Sequence, residues 1–97
     1  MKIAHRDIII QCFQKHTISK SAMQAWIAEV SHAEWKKPID IKEIYSSADF
    51  LPGNRVVFNI KGNRFRIIVK INYAVGIVSV RFAGTHAEYD RIDAEKI

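Results

Sequence analysis

Arg55-Val56-Val57-Phe58-Asn59-Ile60-Lys61-Gly62-Asn63-Arg64-Phe65-Arg66-Ile67-Ile68-Val69-Lys70-Ile71-Asn72-Tyr73 reads as the two arms of a β-hairpin. Apolar and polar residues alternate on both sides of Gly62-Asn63, a pair suited to a two-residue turn. Folding there sets Lys61 against Arg64, Ile60 against Phe65, Asn59 against Arg66, Phe58 against Ile67 and Val56 against Val69. Each apolar residue of one face then meets another, and a slip of one residue would turn that face to water. A third strand follows at about Val78–Ala83. A four-residue loop Ala74–Ile77 suits Val75, which disfavours positive φ. It pairs Tyr73 with Val78, Ile71 with Val80 and Val69 with Phe82. The inner face is then Val56, Phe58, Ile60, Phe65, Ile67, Val69, Ile71, Tyr73, Val78, Val80 and Phe82. The outer face carries Arg55, Lys70 and Arg81 in one row and Asn59, Arg66 and Thr85 in another, with Lys61 and Arg64 at the hairpin end.

Upstream, Lys2–Ala4 fits a short edge strand. From Arg6, the apolar residues Ile8, Ile9, Cys12 and Phe13, with His16, recur at helical spacing to about Lys15. Thr17–Lys20 reads as a turn, and Ser21 with Gln24 as a capping box that starts a second helix running to about Glu34. Asp40 with Glu43 suggests a helical turn through Tyr45, and Ser46–Asn54 a loop. Downstream, Thr85 with Glu88 forms another capping box, so His86 opens a short C-terminal helix. That brings His86 and Tyr89 to the rim of the outer face. The expected fold is α+β: an N-terminal helical hairpin packed on one face of an antiparallel β-meander, with a short C-terminal helix. Residues 1–97 suffice for one domain and one core.

The charge is concentrated. Net charge is +5, yet residues 1–53 contribute +1, residues 54–85 contribute +6 without a single acid, and residues 86–97 contribute −2. Cations opposed on neighbouring strands destabilise a sheet by up to about 1 kcal/mol per pair. Such a face calls for an anion, most simply RNA, unless acids such as Glu29, Asp40, Glu88 or Asp90 neutralise it. Cys12 is the sole cysteine and falls in an apolar stripe, so it reads as a core residue. His5, His16 and His32 lack ligand spacing, and Trp26 and Trp35 read as core anchors. No metal or cofactor is expected. No apolar run reaches bilayer length and no signal peptide is visible, so a cytoplasmic protein with no membrane partner is expected.

The strings Asn54-Arg55-Val56-Val57-Phe58-Asn59-Ile60-Lys61-Gly62-Asn63 and Arg81-Phe82-Ala83-Gly84-Thr85-His86-Ala87-Glu88-Tyr89-Asp90, with Arg66 between them, resemble the HigB family of toxins from type II toxin–antitoxin systems. Ala25-Trp26, Glu34-Trp35 and Ser47-Ala48-Asp49-Phe50 agree with that resemblance. It implies a RelE-like fold and an mRNA interferase, an endoribonuclease that cleaves mRNA in the ribosomal A site and arrests translation. It also implies neutralisation by a HigA-type helix-turn-helix antitoxin. Carried over by position, the resemblance makes Arg66 the transition-state stabiliser. It assigns His86 or Tyr89 to acid or base. Arg55, Asn59, Lys61, Arg64, Lys70 and Arg81 would contact RNA. The competing reading is a non-catalytic RNA- or ribosome-binding module that uses the same face.

Overall fold

The computed structural model describes residues 1–97 as an α+β fold. Its strands are β1 (Lys2–Ala4), β2 (Asp49–Leu51), β3 (Arg55–Ile60), β4 (Phe65–Asn72) and β5 (Ile77–Thr85). Its helices are α1 (Arg6–Lys15), α2 (Lys20–His32), α3 (Pro38–Lys42) and α4 (His86–Tyr89). One sheet runs in the order β1-β5-β4-β3-β2. Strands β2 to β5 are antiparallel to their neighbours, while β1 joins the edge of β5 in parallel. The sheet is therefore mixed, where the alternation predicted an antiparallel meander alone.

The β3–β4 register follows the apolar pattern: Arg55 pairs with Lys70, Val56 with Val69, Phe58 with Ile67, Asn59 with Arg66 and Ile60 with Phe65. The ladder stops there. Lys61 and Gly62 take left-handed φ values of 54° and 67°, so Lys61–Arg64 form the turn; the Arg64 N–H meets the Lys61 carbonyl at 3.4 Å, but this expected pair lies outside the ladder.

The expected β4–β5 register is corrected. Ile71 faces Val78 and Val69 faces Val80, two residues away from the expected pairing. Asn72 makes the tighter turn possible: its carbonyl accepts from the Gly76 N–H at 3.0 Å and its Oδ1 from the Val75 N–H at 3.3 Å. Gly76 takes the left-handed φ of 71°, which spares Val75. A bulge follows. Past Arg81, Ile68 faces Phe82, Arg66 faces Gly84 and Phe65 faces Thr85. The inserted residue reverses which side chains point inward, so Phe82 leaves the expected inner face.

The inner face packs under the helices. Ile9 and Cys12 of α1, Met23, Trp26 and Val30 of α2, and Ile41 of α3 join Val56, Phe58, Ile60, Phe65, Ile67, Val69, Ile71, Val78 and Val80 in one buried cluster. Phe58 is its aromatic centre: Trp26 meets it edge-on at 5.4 Å, Trp35 stacks at 6.1 Å and Tyr45 stands edge-on at 5.0 Å. Two further expectations change. Helix α2 starts at Lys20 behind Ser19, whose Oγ donates to the His16 carbonyl at 2.7 Å, so Ser21 lies inside the first turn. Asp49–Leu51 pairs with β3 as an outer strand rather than remaining loop.

The outer face is partly roofed. Val57 and Ile68 point away from the helices, yet both are fully buried. Their cover is the segment after α4. Tyr89 lies over Arg66 at one end, and the Arg55 Nε donates to the main-chain oxygen of Ile97 at 3.1 Å at the other. Ile92, Ala94 and Ile97 along this segment are half-buried.

Candidate nucleic-acid interface

None of the six cations between Arg55 and Arg81 has an Asp or Glu carboxylate within ion-pair distance. The ion pairs of the molecule are Lys15–Glu88 and Lys96–Asp93, and the Glu88 and Asp90 carboxylates also lie within 3.3 and 3.4 Å of the His16 and His86 ring nitrogens. The acids able to neutralise the face are engaged elsewhere. Glu29 accepts from the Tyr45 hydroxyl, and Asp40 accepts the amides of Lys36 and Lys37 at 2.9 and 3.2 Å.

Arg66, at the outer end of β4, is the most constrained of the cations. Its Nη2 donates to Asn63 Oδ1 at 2.9 Å, and its guanidinium carbon lies 4.7 Å from the centre of the Tyr89 ring. Its Nε is buried with no partner, as is Oδ1 of Asn59 on the neighbouring strand, whose Nδ2 donates to the Ser47 carbonyl at 3.1 Å. Buried polar atoms are nearly always paired, and these two exceptions stand on directly paired residues of β3 and β4.

Helix α4 supplies the rim. The capping box forms as the sequence predicts: Glu88 N–H donates to Thr85 Oγ1 at 3.1 Å, and Thr85 N–H to Glu88 Oε1 at 2.8 Å. The His86 N–H donates to the Arg64 carbonyl at 3.0 Å, which fastens the helix to the start of β4. One helical turn later, Tyr89 sits between Arg66 and Phe82, with the two aromatic rings 6.4 Å apart. The His86 Nε2 lies 3.4 Å from Asp90 Oδ1, and the imidazole is about half exposed. Glu88 ties this rim to α1 through Lys15 at 3.1 Å and His16 at 3.3 Å. The Thr85 amide, helped by Lys15, draws the Glu88 carboxyl down to about 2.

The structure thus brings Arg64, Arg66, His86 and Tyr89 together. Lys61 stands exposed in the adjoining turn. Arg55 is half-buried and occupied by the main-chain oxygen of Ile97. Lys70 and Arg81 stand apart at the opposite end of the face. The expected row of three cations is broken: Lys70 faces Ser79, and Arg81 is the bulged residue. Three contributors escaped the sequence reading. In the sequence Asn63 signals only a turn, yet its Oδ1 holds Arg66. Gly84 allows close packing, since a Cβ there would lie 2.8 Å from the Phe82 ring and 2.9 Å from Glu88. The tail beyond Asp90 gave no sign of crossing the sheet.

The protein is thus an α+β domain that holds guanidinium groups without Asp or Glu partners on the sheet face opposite its helices, with an imidazole and a phenol beside them. The chain belongs to the HigB toxin family, the RelE-like toxic component of a toxin–antitoxin system, whose family model matches residues 19–92. No curated protein is matched by the chain. Membership makes the protein a toxin and implies an antitoxin partner. No helix is long and apolar enough to cross a membrane.

Proposed function

We propose that this toxin is an endoribonuclease of RelE-like topology that cuts mRNA, on the ribosome, and that a HigA-type antitoxin restrains it. The observation that carries the reading is the cationic face without Asp or Glu partners, centred on an Arg66 that retains an unpartnered buried Nε. The reaction is attack of a 2′-oxygen on the adjacent phosphorus with departure of the 5′-oxygen. A base removes the 2′-hydroxyl proton, and an acid returns one to the leaving oxygen. The products are a 2′,3′-cyclic phosphate and a 5′-hydroxyl.

Arg66 meets the charge that develops on the phosphorane oxygens, where its planar fork suits a phosphate better than a point charge does. Tyr89 steadies that fork, with its ring centre 4.7 Å from the guanidinium carbon. His86 handles the proton, oriented by Asp90 at 3.4 Å. Arg64 and Lys61 hold the phosphate path at the hairpin end, and Asn59 offers its free Oδ1 to a sugar or base.

The test is mapping of transcript 5′ ends shortly after induction, for wild type and Arg66→Ala in parallel. New 5′-hydroxyl ends in translated messages are expected with wild type and are lost in the variant. Growth arrest with intact transcripts would instead establish the non-catalytic ribosome-binding module.

A further inference from the structure

Beyond the bulge, the outer face holds a second cationic feature that the Arg66 site does not use. A cleft of about 550 Å³ is lined by Asn54, Lys70, Asn72, Ser79 and Arg81, with the chain around Tyr73 closing its floor. Neither Lys70 nor Arg81 has an ion pair or a side-chain hydrogen bond, and no acid lines the cleft. Asn72 spends its Oδ1 on the Val75 N–H, which leaves its amide hydrogens to donate. The cleft is therefore rich in donors and poor in acceptors, the chemistry of an anion site. The bulge that takes Arg81 out of the regular ladder sets it beside Lys70 and Ser79.

Four residue steps along extended β4 carry the chain from Arg66 to Lys70, about 13 Å. One phosphate cannot touch both. Opposite Lys70 on β3, the Arg55 side chain is held by Ile97. We propose that the Lys70–Arg81 cleft is a phosphodiester subsite, which grips the RNA backbone at a nucleotide remote from the bond presented to Arg66. The proposal rests on the RNA-cleaving reading and adds a second, separable contact that makes recognition depend on strand length.

The experiment titrates the full chain, followed by amide NMR, with two uncleavable 2′-O-methyl RNAs: a dinucleotide and a hexanucleotide. The dinucleotide is too short to bridge the two ends and reports the Arg66 end. Wild type is expected to bind the hexamer at least tenfold more tightly, with shifts at Asn54, Asn72 and Ser79 for the hexamer only. Lys70→Ala/Arg81→Ala loses that increment, and its log K against log salt slope for the hexamer becomes shallower by about 1.4, as expected for two lost phosphate contacts. The charge-keeping pair Lys70→Arg/Arg81→Lys recovers most of it. An increment that survives in the double alanine variant overturns the subsite and leaves the Arg66 reading standing. If Arg66→Ala leaves dinucleotide binding intact while the increment still depends on Lys70 and Arg81, the subsite stands and the nuclease reading falls.

Discussion

Arg66 combines a donor already spent on Asn63, an aromatic ring beneath it and a buried Nε without a partner. Loss of one preorganised charge stabiliser costs about 10²–10³ in rate, and Arg66→Ala is expected to fall in that range. Arg66→Lys recovers little, because an ammonium cannot reproduce the fork. The two rim residues separate by variant. Tyr89→Phe keeps the ring over Arg66 and is expected to lose less than about tenfold, against the roughly 10²–10⁴ expected for His86→Ala as the proton-transfer group. A Tyr89→Phe variant as inactive as His86→Ala, measured on purified translating ribosomes, would move the proton chemistry to the phenol. The sequence located these residues because a capping box fixes where α4 begins. It hid the stacking of Tyr89 on Arg66, because that contact depends on where a bulge shifts the end of β5.

Strand and helix boundaries show which physics leaves a trace in sequence. The β3–β4 register was legible because any slip would expose Phe58 and Ile67. The β4–β5 register was not. Val78, Val80 and Phe82 continue a perfect alternation, and nothing in that pattern announces that Arg81 is an extra residue. β2 was hidden by the turn formers Asp49, Pro52 and Gly53 within and beside so short a strand. The α4 cap yields a pH prediction. The Thr85 amide and Lys15 hold the Glu88 carboxyl down to about 2, below its ordinary 4.5. A depressed acid adds stability above its unfolded value, and that stability is lost as pH falls from about 4.5 towards 2. At pH 7, Glu88→Gln keeps an acceptor for the Thr85 amide but removes the charge facing Lys15, and is expected to lose up to about 1 kcal/mol, the range of a partly exposed charge pair, or at most about 4–8 °C in Tm for a domain of this size. The gap between variant and wild type closes in melts near pH 2. A constant gap from pH 7 to pH 2 would show that the carboxylate charge contributes nothing.

Across the whole molecule, the sheet buries apolar residues on both faces, and only one of those faces was foreseen. The tail, anchored at Arg66 and at Arg55, crosses the side of the sheet on which Val57 and Ile68 are buried. Ile68→Ala is therefore expected to cost about 2–5 kcal/mol, as a buried inner-face residue such as Ile67 would. A bare platform would lose far less, and urea melts of both variants decide between the two. The sequence could not foretell the roof, because Ile92, Ala94 and Ile97 are too sparse among Asp93, Glu95 and Lys96 to give a periodic signal.

The parallel seam at the sheet edge has a temporal consequence. Lys2 finds its strand partner only at Ile77, and Ala4 only at Ser79. A ribosome adds about 5–20 residues each second, so the first strand waits seconds for its neighbour to emerge. Messages broken before that codon yield nascent chains that cannot assemble the full sheet, and the poison is withheld until its fifth strand is made.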